Sequence, residues 1–122
     1  PFMPYHDPLK QYVNYWFSSS EGSEVGDFNQ TISEENQDRL EQEGGCCIMY
    51  SHLASGFYRD GELDSRFKEL MIRLSQKGGW FVPVSTLMDY LIKQGNGQNI
   101  SNSNRKQLEW KWLLHKIFKG AN

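Results

Sequence analysis

Gly44-Gly45-Cys46-Cys47-Ile48-Met49-Tyr50-Ser51-His52-Leu53 is the stretch on which the reading of this chain turns. A glycine pair ends whatever precedes it. A run of apolar and β-prone residues follows and stops at a histidine, just before the glycine-bearing loop 54–61. That pattern predicts a buried strand from Cys46 to about Ser51 whose end carries a titratable ring to the rim of a sheet. In open α/β sheets and in barrels the C-terminal ends of strands are where chemistry is done. A histidine there can act as acid, base or metal ligand near neutral pH. Strand side chains alternate, so Ile48, Tyr50 and His52 are expected on one face. Adjacent Cys46 and Cys47 point to opposite faces and make a poor disulfide or chelate.

Working outward, Thr31-Ile32-Ser33-Glu34 matches a capping box, with Ser33 as an alternative cap, and opens a short polar helix that Gly44 ends. On the other side, Asp64 caps a helix whose stripe is Phe67, Leu70, Met71 and Leu74, with Leu63 as hydrophobic staple, and Gly78-Gly79 ends it. Trp80-Phe81-Val82 reads as a second strand, flanking the first and closed by Pro83. Ser85 caps a helix with the face Val84, Leu87, Met88 and Leu91. A Gly/Asn/Ser-rich loop then leads to a last helix over 104–119. Near the start, Asp7-Pro8 is a cap followed by a first helical residue. Leu9, Tyr12, Val13, Trp16 and Phe17 then give a stripe, predicting a helix from about 8 to 18. Residues 18–30 read as a loop.

Helices alternating with short apolar strands imply an α/β fold with parallel strands and right-handed crossovers. Two strands are too few for such a sheet, since parallel strands are buried on both faces and need neighbours. The 122 residues bound the chain to a single domain. A net charge of −2 gives no global attraction to nucleic acid, and no apolar run is long enough for a membrane span. Two free cysteines and the lack of a signal-peptide pattern lead to the expectation of a cytoplasmic protein. Residues 21–43 are strongly acidic, and residues 105–119 carry Arg105, Lys106, Lys111, Lys116 and Lys119 against Glu109.

In order and spacing, the 44–53 stretch resembles the C-terminal third of the NodB-type polysaccharide deacetylase-like proteins of surface-polysaccharide clusters. So do Asp60-Gly61-Glu62-Leu63, Arg66-Phe67-Lys68-Glu69-Leu70-Met71, Gly79-Trp80-Phe81-Val82-Pro83-Val84-Ser85 and Leu87-Met88-Asp89-Tyr90-Leu91. The tail 105–116 resembles that subgroup too. The likeness covers about residues 30–118: an α/β core over 31–94 and the C-terminal helix over 104–119, with 1–30 poorly matched. It implies a partial (β/α) barrel, the C-terminal portion of a larger enzyme that removes N- or O-acetyl groups from a polysaccharide. It implies that His52 is the general acid and that Tyr50 lines the acetyl pocket. It implies a divalent metal, usually zinc, in the parent. The family's early Asp-Asp and His-x-x-x-His motifs are absent from this chain, so no metal ligands are assigned here and the chain alone is expected to be inactive.

Phe57 and Tyr58, in the loop after His52, are the sugar-contact candidates. Of Tyr12, Tyr15 and Trp16, which together could form a stacking platform, Tyr12 and Trp16 lie on the stripe with Leu9 and Val13 and read as core, while Tyr15 lies off it. His6-Asp7 reads as a solvent histidine beside a cap rather than as a metal pair. The last helix's basic face reads as a solvated face rather than as a surface for anionic glycan, membrane or nucleic acid. Its Trp110 and Trp112 lie about 200° apart and cannot both face one core. The alternative to an enzyme-derived piece is a non-catalytic α/β module that associates through its sheet edge and C-terminal helix. In either case the unpaired strand edges and apolar stripes lead to the expectation of a homo-oligomer.

Overall fold

A computed structural model describes residues 3–119. The elements are β1 (Ser20–Glu21), α1 (Val25–Thr31), α2 (Glu34–Glu43), β2 (Met49–Tyr50), β3 (Tyr58–Arg59), β4 (Glu62–Leu63), α3 (Ser65–Ser75), α4 (Val84–Lys93) and α5 (Asn102–Lys119). Five helices and two small sheets make a mixed α and β structure, with no closed barrel among the described residues. They fall into two compact units: Ser18–Val84, and the two chain ends up to Phe17 and from Ser85.

In the unit Ser18–Val84, local rules account for several elements. Asp64 caps α3 through its Oδ1, which accepts from the Phe67 N–H at 2.8 Å and from Asn29 Nδ2 at 3.0 Å. These two bonds hold the Asp64 carboxyl below its usual range, against a smaller opposing push from burial. Ser33, the alternative cap, is the residue at the N-terminus of α2. Gly44 ends α2 in the left-handed region at φ 65°, where a Cβ would be strained. Asp60 and Gly61 both have positive φ and join β3 to β4 as a two-residue hairpin, with Tyr58 opposite Leu63 and Arg59 opposite Glu62.

The core of this unit is Phe28, Ile32, Phe57 and Leu70, with Val25, Met49 and Phe67 packed against it. Three of its rings form a closed set of edge-to-face contacts: Phe28–Phe57 at 5.3 Å, Phe57–Phe67 at 5.2 Å and Phe28–Phe67 at 5.5 Å. Each such pair contributes about 0.5–1.5 kcal/mol beyond burial. Gln37 is buried and donates to two backbone carbonyls, Ile32 O at 2.8 Å and Leu70 O at 3.1 Å, while its own Oε1 accepts from Arg73. Ion pairs extend this seam between α2 and α3. Arg66 pairs with Glu34, Arg73 with Asp38, and Lys77 with both Asp38 and Glu41.

Four expectations for this unit are corrected. The strand at 46–51 shrinks to Met49–Tyr50, and Cys46 and Cys47 are exposed rather than buried. Its neighbour is β1 and not residues 80–82: Ser20 pairs with Met49 and Glu21 with Tyr50, in parallel. Residues 80–82 are not a strand, and Trp80 and Phe81 are more than half exposed. The next residue is Pro83, which has no N–H to give a ladder and restricts Val82. The expected loop 18–30 instead holds β1 and α1, because Val25, Phe28 and Ile32 lie one above another on a helix and face the core.

In the unit of the two chain ends, α4 and α5 are where the sequence places helices, but α4 begins at Val84, so Ser85 sits inside its first turn rather than capping it. The helix expected over 8–18 is absent. Asp7 Oδ1 accepts from the Leu9 N–H at 3.0 Å and turns the chain. Lys10 N bonds Asp7 O, and Val13 N bonds Lys10 O, so the segment advances by tight turns. Tyr5 and Trp16 then exchange both backbone hydrogen bonds across an antiparallel bridge. The stripe is accordingly unburied, and Tyr12 is fully exposed.

Candidate functional site

The one place where the sequence-predicted site residues meet is the end of β2. Tyr50 and His52 are two apart on extended backbone, so their side chains leave the same face. The Tyr50 hydroxyl lies 3.1 Å from His52 Nε2, and the rings meet edge-on with centroids 5.0 Å apart. Backbone bonds fix this geometry from both sides. Gly22 N donates to Tyr50 O at 3.0 Å, and His52 N donates to Ser23 O at 3.2 Å. Ser55 N then donates to His52 O at 2.8 Å, turning the chain directly after the ring. Gly22 fits closely there: a Cβ would displace the end of the Met49 side chain, 2.7 Å away, and press on Phe28 at 3.0 Å. Both rings are exposed, so a solute reaches them without any rearrangement. A phenol held at one imidazole nitrogen fixes the orientation of an exposed ring, which suits proton delivery to a bound substrate.

The two remaining candidates part company. Tyr58 is 61% exposed on β3, whereas Phe57 is 1% exposed and closes the aromatic core with Phe28 and Phe67. Phe57 is therefore corrected from a sugar contact to a core residue. It has no free face to offer, and its neighbour takes the solvent side because adjacent side chains on extended backbone alternate.

His6 and Asp7 also separate. His6 Nδ1 bonds Asn99 Oδ1 at 2.8 Å, its ring meets Tyr15 edge-on, and it lines an open depression of about 600 Å³ with Tyr15, Phe17, Ser85, Met88 and Asp89. Asp7 turns the other way and is 4% exposed. Its Oδ2 accepts from Arg105 Nε at 3.0 Å, and Arg105 Nη1 donates to Asn102. Burial pushes the Asp7 carboxyl up, but the Leu9 N–H and Arg105 outweigh it and hold it below the usual carboxylate range. Asp7 and Arg105 thus tie the N-terminal segment to α5. The sequence shows only that both residues are charged, not that they pair.

The metal implied by the resemblance does not fit this chain. Among the described residues no group of three His, Cys, Asp or Glu side chains converges as a metal site, and His52 has only Tyr50 beside it. Among the described residues no helix is long and apolar enough to cross a membrane. No protein-family model, curated protein or solved structure matches the chain.

Proposed function

We propose that this chain is the proton-transfer portion of a polysaccharide deacetylase-like protein, a partial (β/α) barrel in which His52 acts as general acid on an acetylated glycan. The observation that supports this reading is the Tyr50–His52 pair: an exposed imidazole at the end of a parallel strand, oriented by a phenol 3.1 Å away. In deacetylation the acetyl carbonyl is attacked by water, and the sugar nitrogen or oxygen leaves with a proton. His52 supplies that proton from its solvent-facing edge, Tyr50 holds the ring, and Tyr58 offers an aromatic face to the sugar. The described residues furnish no metal-ligand set, so this chain is assigned only proton transfer and substrate contact; the divalent metal, zinc in the resemblance, belongs to the parent.

The test is acetate release from N- and O-acetylated oligosaccharides by the protein that carries this segment. His52→Ala lowers kcat by about 10²–10⁴-fold, the usual contribution of a positioned acid. Tyr50→Phe, which keeps the ring but removes the hydrogen bond, lowers it by about tenfold. Full activity in His52→Ala, or no acetate release by the wild type from either ester or amide, refutes the reading. The second reading is a non-catalytic α/β module that associates through its sheet edge and C-terminal helix. The exposed apolar side chains of α5 favour it.

A further inference from the structure

The feature of this molecule least explained by folding is the outer face of α5. Taking about 100° per residue, Trp110, Leu113, Leu114, Ile117 and Phe118 share one arc of about 140° on this helix. All five are solvent-exposed, from 41% at Leu113 to 83% at Phe118. The opposite face of α5 is held at its N-terminal end, where Arg105 bonds Asp7 and Leu108 is half-buried, while Trp112 further along that face is exposed. Large contiguous apolar patches are uncommon on soluble proteins and mark binding surfaces.

Charge identifies the occupant. Helix α5 carries Arg105, Lys106, Lys111, Lys116 and Lys119 against a single acid, Glu109. Lys106 lies at the N-terminal end of the arc, Lys111 borders it beside Phe118, and Lys116 lies beyond Leu113 on the other border. A second copy docking arc to arc would bring like-charged rims together with only Glu109 to offset them. Nucleic acid would satisfy the lysines but give Leu113, Leu114, Ile117 and Phe118 nothing to bury against. An anionic bilayer satisfies both: the arc sinks to the level of the acyl chains while the lysine stems reach up to phosphate. Trp110 is of the residue type favoured at that boundary. At about 27 Å, and with charged residues recurring along its length, α5 lies in the plane rather than spanning.

We propose that α5 is a membrane-surface helix that binds anionic phospholipid through Trp110, Leu113, Leu114, Ile117 and Phe118, flanked by Lys106, Lys111 and Lys116. The proposal does not depend on the catalytic reading of His52.

The whole chain is tested by co-sedimentation with vesicles of phosphatidylcholine alone and with about one-third phosphatidylglycerol. It partitions onto the anionic vesicles at low salt. Binding falls steeply at roughly 0.5 M NaCl, where the Debye length is about 4 Å. Lys106→Glu with Lys111→Glu reduces partitioning by about 25-fold or more. Trp110→Ser with Leu114→Ser reduces it at least tenfold, with the far-UV circular dichroism unchanged because the altered side chains are exposed. On the unmutated chain, lipids brominated in the acyl chain quench tryptophan emission, and this quenching is weaker in Trp110→Ser. Three results overturn the proposal: no partitioning onto anionic vesicles, partitioning unaffected by the lysine reversals, or a stable dimer in sedimentation that Leu114→Ser dissociates. The last would make the arc a contact between copies.

Discussion

Replacing Phe57 by Ala separates a core role from a surface role more sharply than any other change at the candidate site. Its ring is 1% exposed and makes two of the three edge-to-face contacts of the aromatic core. Truncation removes those contacts and leaves a cavity walled by Phe28, Phe67 and Leu70, and Phe→Ala changes of this kind cost about 3–5 kcal/mol. The unit from Ser18 to Val84 has about 67 residues, for which a total stability of about 3–10 kcal/mol is usual. The substitution therefore removes from about a third to all of that stability. Phe57→Leu retains most of the volume but loses both ring contacts, for about 1–2 kcal/mol. Tyr58→Ala, one residue on and exposed, costs under about 1 kcal/mol. The assay is urea unfolding followed by far-UV circular dichroism, comparing midpoints at constant slope. Phe57→Ala within about 1 kcal/mol of the wild type, or Tyr58→Ala costing as much as Phe57→Ala, would refute the core assignment.

Two further outcomes follow from the seam between α2 and α3. Gln37→Leu keeps the volume but withdraws a donor from Ile32 O and Leu70 O; it costs about 1–3 kcal/mol in the same urea assay, and a neutral result would mean that those carbonyls are satisfied without it. Lys77 and Arg73, donating to Asp38, hold its carboxyl below the usual range against a smaller push from burial, and Arg66 does the same for Glu34. The unfolded chain therefore binds more protons, so this stability is fully present above about pH 5 and is lost as pH falls through the lowered folded values. Asp38→Asn flattens the acid limb of the stability–pH curve, and an unchanged limb would show that the pair is idle. Both ion pairs are partly exposed, so added salt weakens the effect.

What the sequence discloses here divides by the range of the interaction. Helix α3 was legible because its causes lie within twelve residues: Asp64 caps it, and Phe67, Leu70 and Leu74 repeat on one side. The Asp60-Gly61 turn carries an equally local signal, the dipeptide that a two-residue hairpin needs, inside the stretch 54–61 whose composition reads as loop. The N-terminal segment carried a cap, a proline and a full stripe, yet no helix forms. Asp7 is engaged by Arg105, 98 residues away, and Trp16 bridges back to Tyr5. Nothing in the 8–18 pattern encodes either partner, and together they override propensity. The partner of β2 was hidden for a related reason. Ser20 and Glu21 have no apolar alternation to advertise a strand, and they pair with β2 through their backbone.

The candidate site obeys the same division. That Tyr50 and His52 share a face follows from a period of two, which any extended segment has, even one trimmed to two paired residues. That Phe57 is core and Tyr58 is surface follows from where Phe28 and Phe67 stand in space, and α1, which carries Phe28, was itself unseen in the sequence. A residue's face is thus set locally, while what covers that face is set by distant chain. The same asymmetry applies to α5. Its sequence discloses an apolar arc bordered by lysines, but only the structure shows that Arg105 bonds Asp7 on the opposite side and that Trp110, Leu114 and Phe118 stand in solvent. The exposure of that arc is a tertiary fact that the amphipathic pattern alone does not disclose.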